Sequence, residues 1–255
     1  MIHVSAPILI EVREGGMRMK RDLAVVSLGL CLIILGSLAA GRRIVSAMGA
    51  GTATRPTLVL DAGHGGEDGG AVSASGHKES DINLSIVLKL RDLMAFLGTD
   101  AVLTRDADVS VYDPGCKTLR EKKVSDLKNR VAMVRNLDHA MVISVHQNTF
   151  TDSRYKGAQV FFVAGELSRQ WGDSTQAILN STLGSSSRKA ALIPDSVYLF
   201  SHIDCPAILV ECGFLSNGEE ASLLLTDSYQ RKLAAALAAA YFHQLQMMPG
   251  GDYLG

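Results

Sequence analysis

Residues 140–146 read AMVISVH and residues 207–211 read AILVE, two short apolar runs that each close on an ionisable side chain. Runs of this length rich in Val and Ile mark strands buried on both faces. A third, TLVLD at Thr57–Asp61, has the same character and leads directly into DAGHGG. Outward from these three, the pattern alternates. Ile82, Ile86, Leu90, Leu93 and Leu97 recur every three or four residues and stop at Gly98, the signature of an amphipathic helix. DAVLTR (100–105) reads as a strand, 106–118 with Pro114 and Gly115 as a loop, and Val124, Leu127, Val131 and Val134 as a second helix. GAQVFFV (157–163) reads as a strand, 167–183 as a helix and VYLFS (197–201) as a short strand. Two helices, at about 218–225 and 229–245, complete the chain, the latter rich in alanine. The class is therefore α/β: a single domain with a mostly parallel, roughly six-stranded sheet flanked by helices on both faces.

The composition agrees. In 255 residues, 47% are apolar and 20% charged, which excludes a disordered chain. Lys plus Arg is 25 and Asp plus Glu is 26, so the net charge is −1, without the basic excess of a nucleic-acid binder. Cys31, Cys116, Cys205 and Cys212 form no CxxC pair, which excludes a disulfide scaffold and a cysteine-based zinc finger. The mean hydropathy of +0.16 has a local source. Leu23–Ala40 runs for 18 residues without a charge. At 1.5 Å per residue that is roughly 27 Å, just short of a ~30 Å hydrocarbon core. Arg18, Lys20 and Arg21 precede it and Arg42 and Arg43 follow, a weak bias towards an inside N-terminus. The reading is a cytoplasmic leader at 1–22, with translation expected to begin at Met17 or Met19, then a signal anchor or signal peptide at 23–40. A small-residue linker at 41–56, an exported catalytic domain at 57–246 and a tail at 247–255 follow.

His64, His146 and Glu211 all fall at the carboxyl ends of expected strands, the edge that borders the ligand crevice in an open α/β sheet. Two imidazoles and a carboxylate on one edge suit a catalytic zinc site, which uses three protein ligands and leaves a position for water. Such an ion polarises a carbonyl and makes hydroxide available near neutral pH. A further carboxylate is needed to carry the proton to the leaving amine. Glu79, just ahead of the first helix, and Glu211 are the two candidates for these carboxylate roles. Glu79 also fits a residue stabilising the helix N-terminus, in which case His77 is the substitute ligand. Glycines at 63, 65, 66, 69 and 70 let the backbone pass close to metal and substrate. His3, His139, His202 and His243 read as surface or packing residues, and Arg105 as a partner of a carboxylate or of substrate. The glycine-rich stretch lacks the GK[ST] ending of a phosphate loop.

The segments DAGHGGEDGGAV, GHKESDINLSIVLKL, ISVHQN, GAQVFF and PAILVECGFLSNGEEASLLL, in that order, resemble the zinc-dependent N-acetylmuramoyl-L-alanine amidases of the LytC/AmiC type. TLREKKVSDLKNRV and RKAALIPDSVYLFSH are more similar to the germination-specific, spore-cortex (CwlD-like) branch. The resemblance spans about Thr57 to Leu245 and implies zinc ligands His64, Glu79 and His146, with Glu211 as the catalytic carboxylate. It implies one zinc ion per chain, peptidoglycan as substrate and a role in muramic-lactam formation and germination. Ala62 stands where proline is usual, and Gln147 and Thr149 replace small residues around the second histidine. The membrane is a partner through residues 23–40, nucleic acid is not, and an activating protein is not specified. A vegetative or division amidase is the alternative within the family. Outside it stand a thiol hydrolase using Cys212 with His146, and a non-catalytic wall-binding or activator module.

Overall fold

The computed structural model describes residues 55–184 and 187–248. No helix among them is long and apolar enough to cross a membrane. The expected leader, the apolar segment 23–40, most of the linker and nearly all of the tail lie outside the described residues.

Six strands, β1 (Thr57–Ala62), β2 (Ala101–Leu103), β3 (Ala140–Asn148), β4 (Gln159–Phe162), β5 (Ala191–Leu192) and β6 (Ala207–Phe214), form one sheet in the order β2-β1-β3-β6-β4-β5. Every neighbouring pair is parallel except β4 with β6. The helices are α1 (Glu79–Phe96), α2 (Leu119–Arg135), α3 (Glu166–Leu183), α4 (Tyr198–Ser201), α5 (Gly218–Leu224) and α6 (Asp227–Met247).

Side chains alternate along a strand, so each strand serves two cores. Leu58, Leu60, Met141, Ile143, Val145, Ile208 and Val210 pack with α1, α3 and α6 around Trp171 and Tyr241. Val59, Val142, Ala207 and Leu209 face the other way, onto Val131 and Val134 of α2 and Leu199 and Phe200 of α4. Local chemistry sets the helix ends. Thr118 and Glu121 form a reciprocal capping box that starts α2. Gly98, at φ +76°, takes the left-handed conformation that ends α1.

Two departures from the sequence expectation concern the sheet edge. VYLFS is not a strand: Tyr198–Ser201 is the one-turn helix α4, with Leu199 and Phe200 buried side by side. So short an apolar run has no period by which to tell strand from helix. The edge position is filled by β5, whose pairing continues in the Ile193 N–H donating to the Phe162 carbonyl at 2.9 Å. The capping box also starts α2 five residues before its first apolar marker, Val124.

Candidate active site

Parallel register sets His146 of β3 beside Glu211 of β6. Both share the strand face of Val142 and Leu209, which pack towards α2, while Val145, Val210 and Cys212 face the opposite core. Glu79 enters from the first turn of α1, and its carboxylate is fixed by backbone donors. Oε2 accepts from Ala71 N at 2.9 Å and Oε1 from Gln147 N at 3.1 Å, with Asn83 Nδ2 at 3.3 Å. His64 arrives from the loop after β1 with φ +62°, a left-handed conformation that is uncommon for a residue with a side chain.

The three side chains meet. His64 Nε2 lies 3.3 Å and His146 Nδ1 3.0 Å from Glu79 Oε1, and the two rings sit edge to face with centroids 5.1 Å apart. All three donor atoms fall within 4.8 Å of one another. Ligands about 2.1 Å from a tetrahedral zinc are separated by about 3.4 Å, close to the 3.3 and 3.0 Å that part the two imidazole nitrogens from Glu79 Oε1. Asp68 Oδ2 is 3.0 Å from His64 Nδ1. Accepting the proton there leaves the Nε2 lone pair free for a metal, the usual carboxylate–histidine arrangement.

The electrostatics favour a cation at the centre. Burial works against a charged His64, but the hydrogen bonds its ring donates to Asp68 and Glu79 outweigh it and raise the ring to about 9. Burial pushes Glu79 up, and the two imidazoles more than reverse that, holding it far below the usual carboxylate range. Glu211 behaves in the opposite way. Burial raises it to about 7; His146 and His64 oppose this, and the Glu79 charge adds to it. Its Oε2 is buried with no hydrogen-bond partner among the described residues. A carboxyl with one unsatisfied oxygen beside a cluster of donors is suited to receiving and giving protons.

Other candidates fall outside the cluster. His77 is exposed, and its backbone N–H donates to Ser73 Oγ. His202 is exposed and stacks on Tyr198 at 4.0 Å. Cys212 is fully buried on the far face of β6, its thiol pushed well above the ordinary range by burial. Arg105 makes no carboxylate pair among the described residues; it donates to the carbonyls of Ala62, Gly63, Ser80 and Ala107. Sequence reasoning missed Asp68, Asn83 and Arg130. Asp68 follows His64 by four residues and carried a readable signal, whereas the other two looked like ordinary polar positions on helices.

Residues 58–241 match the family described as N-acetylmuramoyl-L-alanine amidase. The germination-specific N-acetylmuramoyl-L-alanine amidase of Bacillus subtilis is 33% identical over 181 residues, covering 71% of this chain and 76% of that protein. The CwlD amidase of Clostridioides difficile, solved in complex with the GerS lipoprotein, is 37% identical with a TM-score of 0.73 over 76% of this chain and all of that one. The catalytic domain of CwlV from Bacillus (Paenibacillus) polymyxa is 25% identical, with a TM-score of 0.65 over 76% of this chain and all of that domain. The family match runs from the second residue of β1 into α6 and so takes in every strand of the sheet. This chain belongs to the N-acetylmuramoyl-L-alanine amidase family.

Proposed function

We propose that this amidase works with one zinc ion held by His64, Glu79 and His146, and that Glu211 is its proton carrier. The observation that supports this reading is the close approach of three donor atoms beside the unpartnered carboxylate oxygen of Glu211. When bound, zinc supplies Lewis acidity, polarising the scissile carbonyl and acidifying water. Glu211, ionised, takes a proton from the attacking water as its oxygen bonds to the lactyl carbonyl carbon. The same carboxyl then passes that proton to the L-alanine nitrogen as the C–N bond breaks, leaving a lactyl carboxylic acid and a stem-peptide amine, and water's second proton moves from the acid to the amine to give carboxylate and ammonium. Asp68 holds His64 in the tautomer that offers Nε2.

The substrate in this reading is peptidoglycan outside the cytoplasm, reached by an enzyme exported through residues 23–40. Likeness to the germination-specific relative, together with TLREKKVSDLKNRV and RKAALIPDSVYLFSH, supports a role in spore cortex, where peptide-free muramic acid is the precursor of muramic lactam. The test is metal analysis of the purified protein and mass spectrometry of muropeptides after digestion. Glu211→Ala should keep its zinc and lose turnover by on the order of 100-fold or more. Unchanged turnover in that variant refutes the role of Glu211, and activity that survives complete removal of metal refutes the role of zinc.

A further inference from the structure

Three consecutive carbonyls, those of Ala62, Gly63 and His64, each accept a hydrogen bond from a buried guanidinium. Arg130 Nη1 donates to Ala62 O at 2.8 Å and Arg130 Nη2 to His64 O at 2.7 Å. Arg105 Nε donates to Ala62 O at 2.9 Å and Arg105 Nη2 to Gly63 O at 3.1 Å. Both arginines are almost completely buried, at 2% and 3% exposure. A buried cation needs a reason and a partner. Arg130 has two partners, Asp61 Oδ1 at 2.6 Å and Asp126 Oδ2 at 2.8 Å, and Asp61 is held in turn by Thr104 and Ser144.

This arrangement exceeds what is needed to attach α2 to the sheet. Val131 and Val134 of the same helix already pack on Val59 and Val142. The carbonyls it grips belong to the one segment where a metal-ligand candidate is held with positive φ. Ring direction at His64 follows from that backbone, because the side chain leaves Cα at an angle set by φ and ψ. A single ammonium could not serve Asp61, Asp126, Ala62 O and His64 O together, whereas a planar guanidinium with five donors does.

We propose that Arg130 is a positioning residue for the metal centre: its guanidinium, wedged between Asp61 and Asp126, holds the His64 carbonyl so that the imidazole faces Glu79 and His146. Arg105 braces the preceding carbonyls. Neither side chain touches substrate; both act through His64.

The full-length protein, purified in detergent and stripped of metal, is titrated with zinc against a chromophoric chelator. In Arg130→Lys the zinc dissociation constant rises on the order of 10- to 100-fold. At saturating zinc kcat falls while KM stays within about twofold, and the circular dichroism spectrum is unchanged. Arg169→Lys, an exposed residue paired with Glu166 and Asp173, changes none of these. If Arg130→Lys does not fold, Asp126→Asn carries the test: it loosens one side of the wedge and should weaken zinc by about threefold or more. Wild-type zinc affinity in a folded variant of either kind overturns the proposal. The proposal rests on the zinc reading above, and the two fail differently. A parent protein that takes up no zinc defeats that reading, whereas a parent that binds zinc as tightly as its folded variants defeats this one alone.

Discussion

Replacing Asp61 by asparagine removes the hub of the buried charge cluster, and the structure sets the size of the effect. The carboxylate is 2% exposed and meets Arg130 Nη1 at 2.6 Å, Thr104 Oγ1 at 2.7 Å and Ser144 Oγ. Burial by itself would raise its pKa, but the Arg130 charge and the Ser144 hydrogen bond outweigh it and lower the group from 3.8 to about 2. At 1.36 kcal/mol per pH unit this is about 2 to 3 kcal/mol of stability. A carboxylate whose folded pKa is depressed contributes in full above its unfolded value, and the contribution is lost as pH falls through the folded one. Urea unfolding of the metal-free protein should therefore place Asp61→Asn about 3 kcal/mol below wild type at pH 7, near the lower range for breaking a buried pair. At pH 3 only about half of the electrostatic part remains, so the gap narrows by about 1 kcal/mol. Other carboxylates titrate in both proteins and cancel in the difference. A gap under about 1 kcal/mol at pH 7 would mean that Asp61 is not the counter-charge of Arg130. A gap of equal size at pH 3 and pH 7 would mean that its depressed pKa is not the source of the stability.

Glu211→Gln has the opposite sign in the metal-free protein. The folded pKa lies near 7 rather than 4.5, so ionisation above pH 4.5 costs stability up to about 3 kcal/mol. The glutamine variant should unfold at higher urea than wild type at pH 8 and at the same urea near pH 4; an equal midpoint at pH 8 contradicts the burial argument. At Gly63, an added Cβ would overlap the His146 ring. Gly63→Ala should therefore keep the fold but weaken zinc binding by at least about tenfold in a chelator competition, and wild-type affinity would show that His146 is not confined there. Cys212→Ser should retain activity within a few-fold and remain sensitive to chelators, since the thiol faces the core opposite the cluster. Abolished, chelator-insensitive activity would favour a thiol mechanism.

The central strands were legible because β1, β3 and β6 are covered on both faces, which makes their sequences continuous apolar runs. Their ends were less so: β3 runs on to Asn148 and β6 to Phe214, past the ionisable residues expected to close them, although those two, His146 and Glu211, do lie side by side. The edge was not legible. β5 has two residues, Ala191 and Leu192, too few for any period, and VYLFS is likewise too short to separate strand from helix. The residues behind the ligands left little pattern: Asp68 stands four after His64, but Asn83 donates to Gly63 O and Gln147 to Glu79 Oε1 and Asn83 Oδ1, bonds between segments distant in sequence that no spacing rule encodes. Arg130 sits in a helix whose composition, LREKKVSDLKNR, reads as a solvated face.

The polar composition of α2 points to how the fold divides its labour. The inward face of the helix changes character along its length: Asp126 and Arg130 are buried at one end, Val131 and Val134 at the other. The sheet facing it changes in the same direction, from Val59 and Val142 to Asp61 and Ser144 one pleat later, and then to the loop of His64 and to His146. Apolar contact between sheet and helix is thus made where only stability is at stake. It gives way to ion pairs in the layer directly beneath the metal-ligand candidates. Ion pairs in such a layer are a poor source of stability compared with well-packed apolar side chains, but they are directional, and apolar contact is not. A loop that must present one imidazole at a fixed angle needs direction more than it needs burial, and hydrogen-bonded guanidinium groups meet that need where leucine or valine would not.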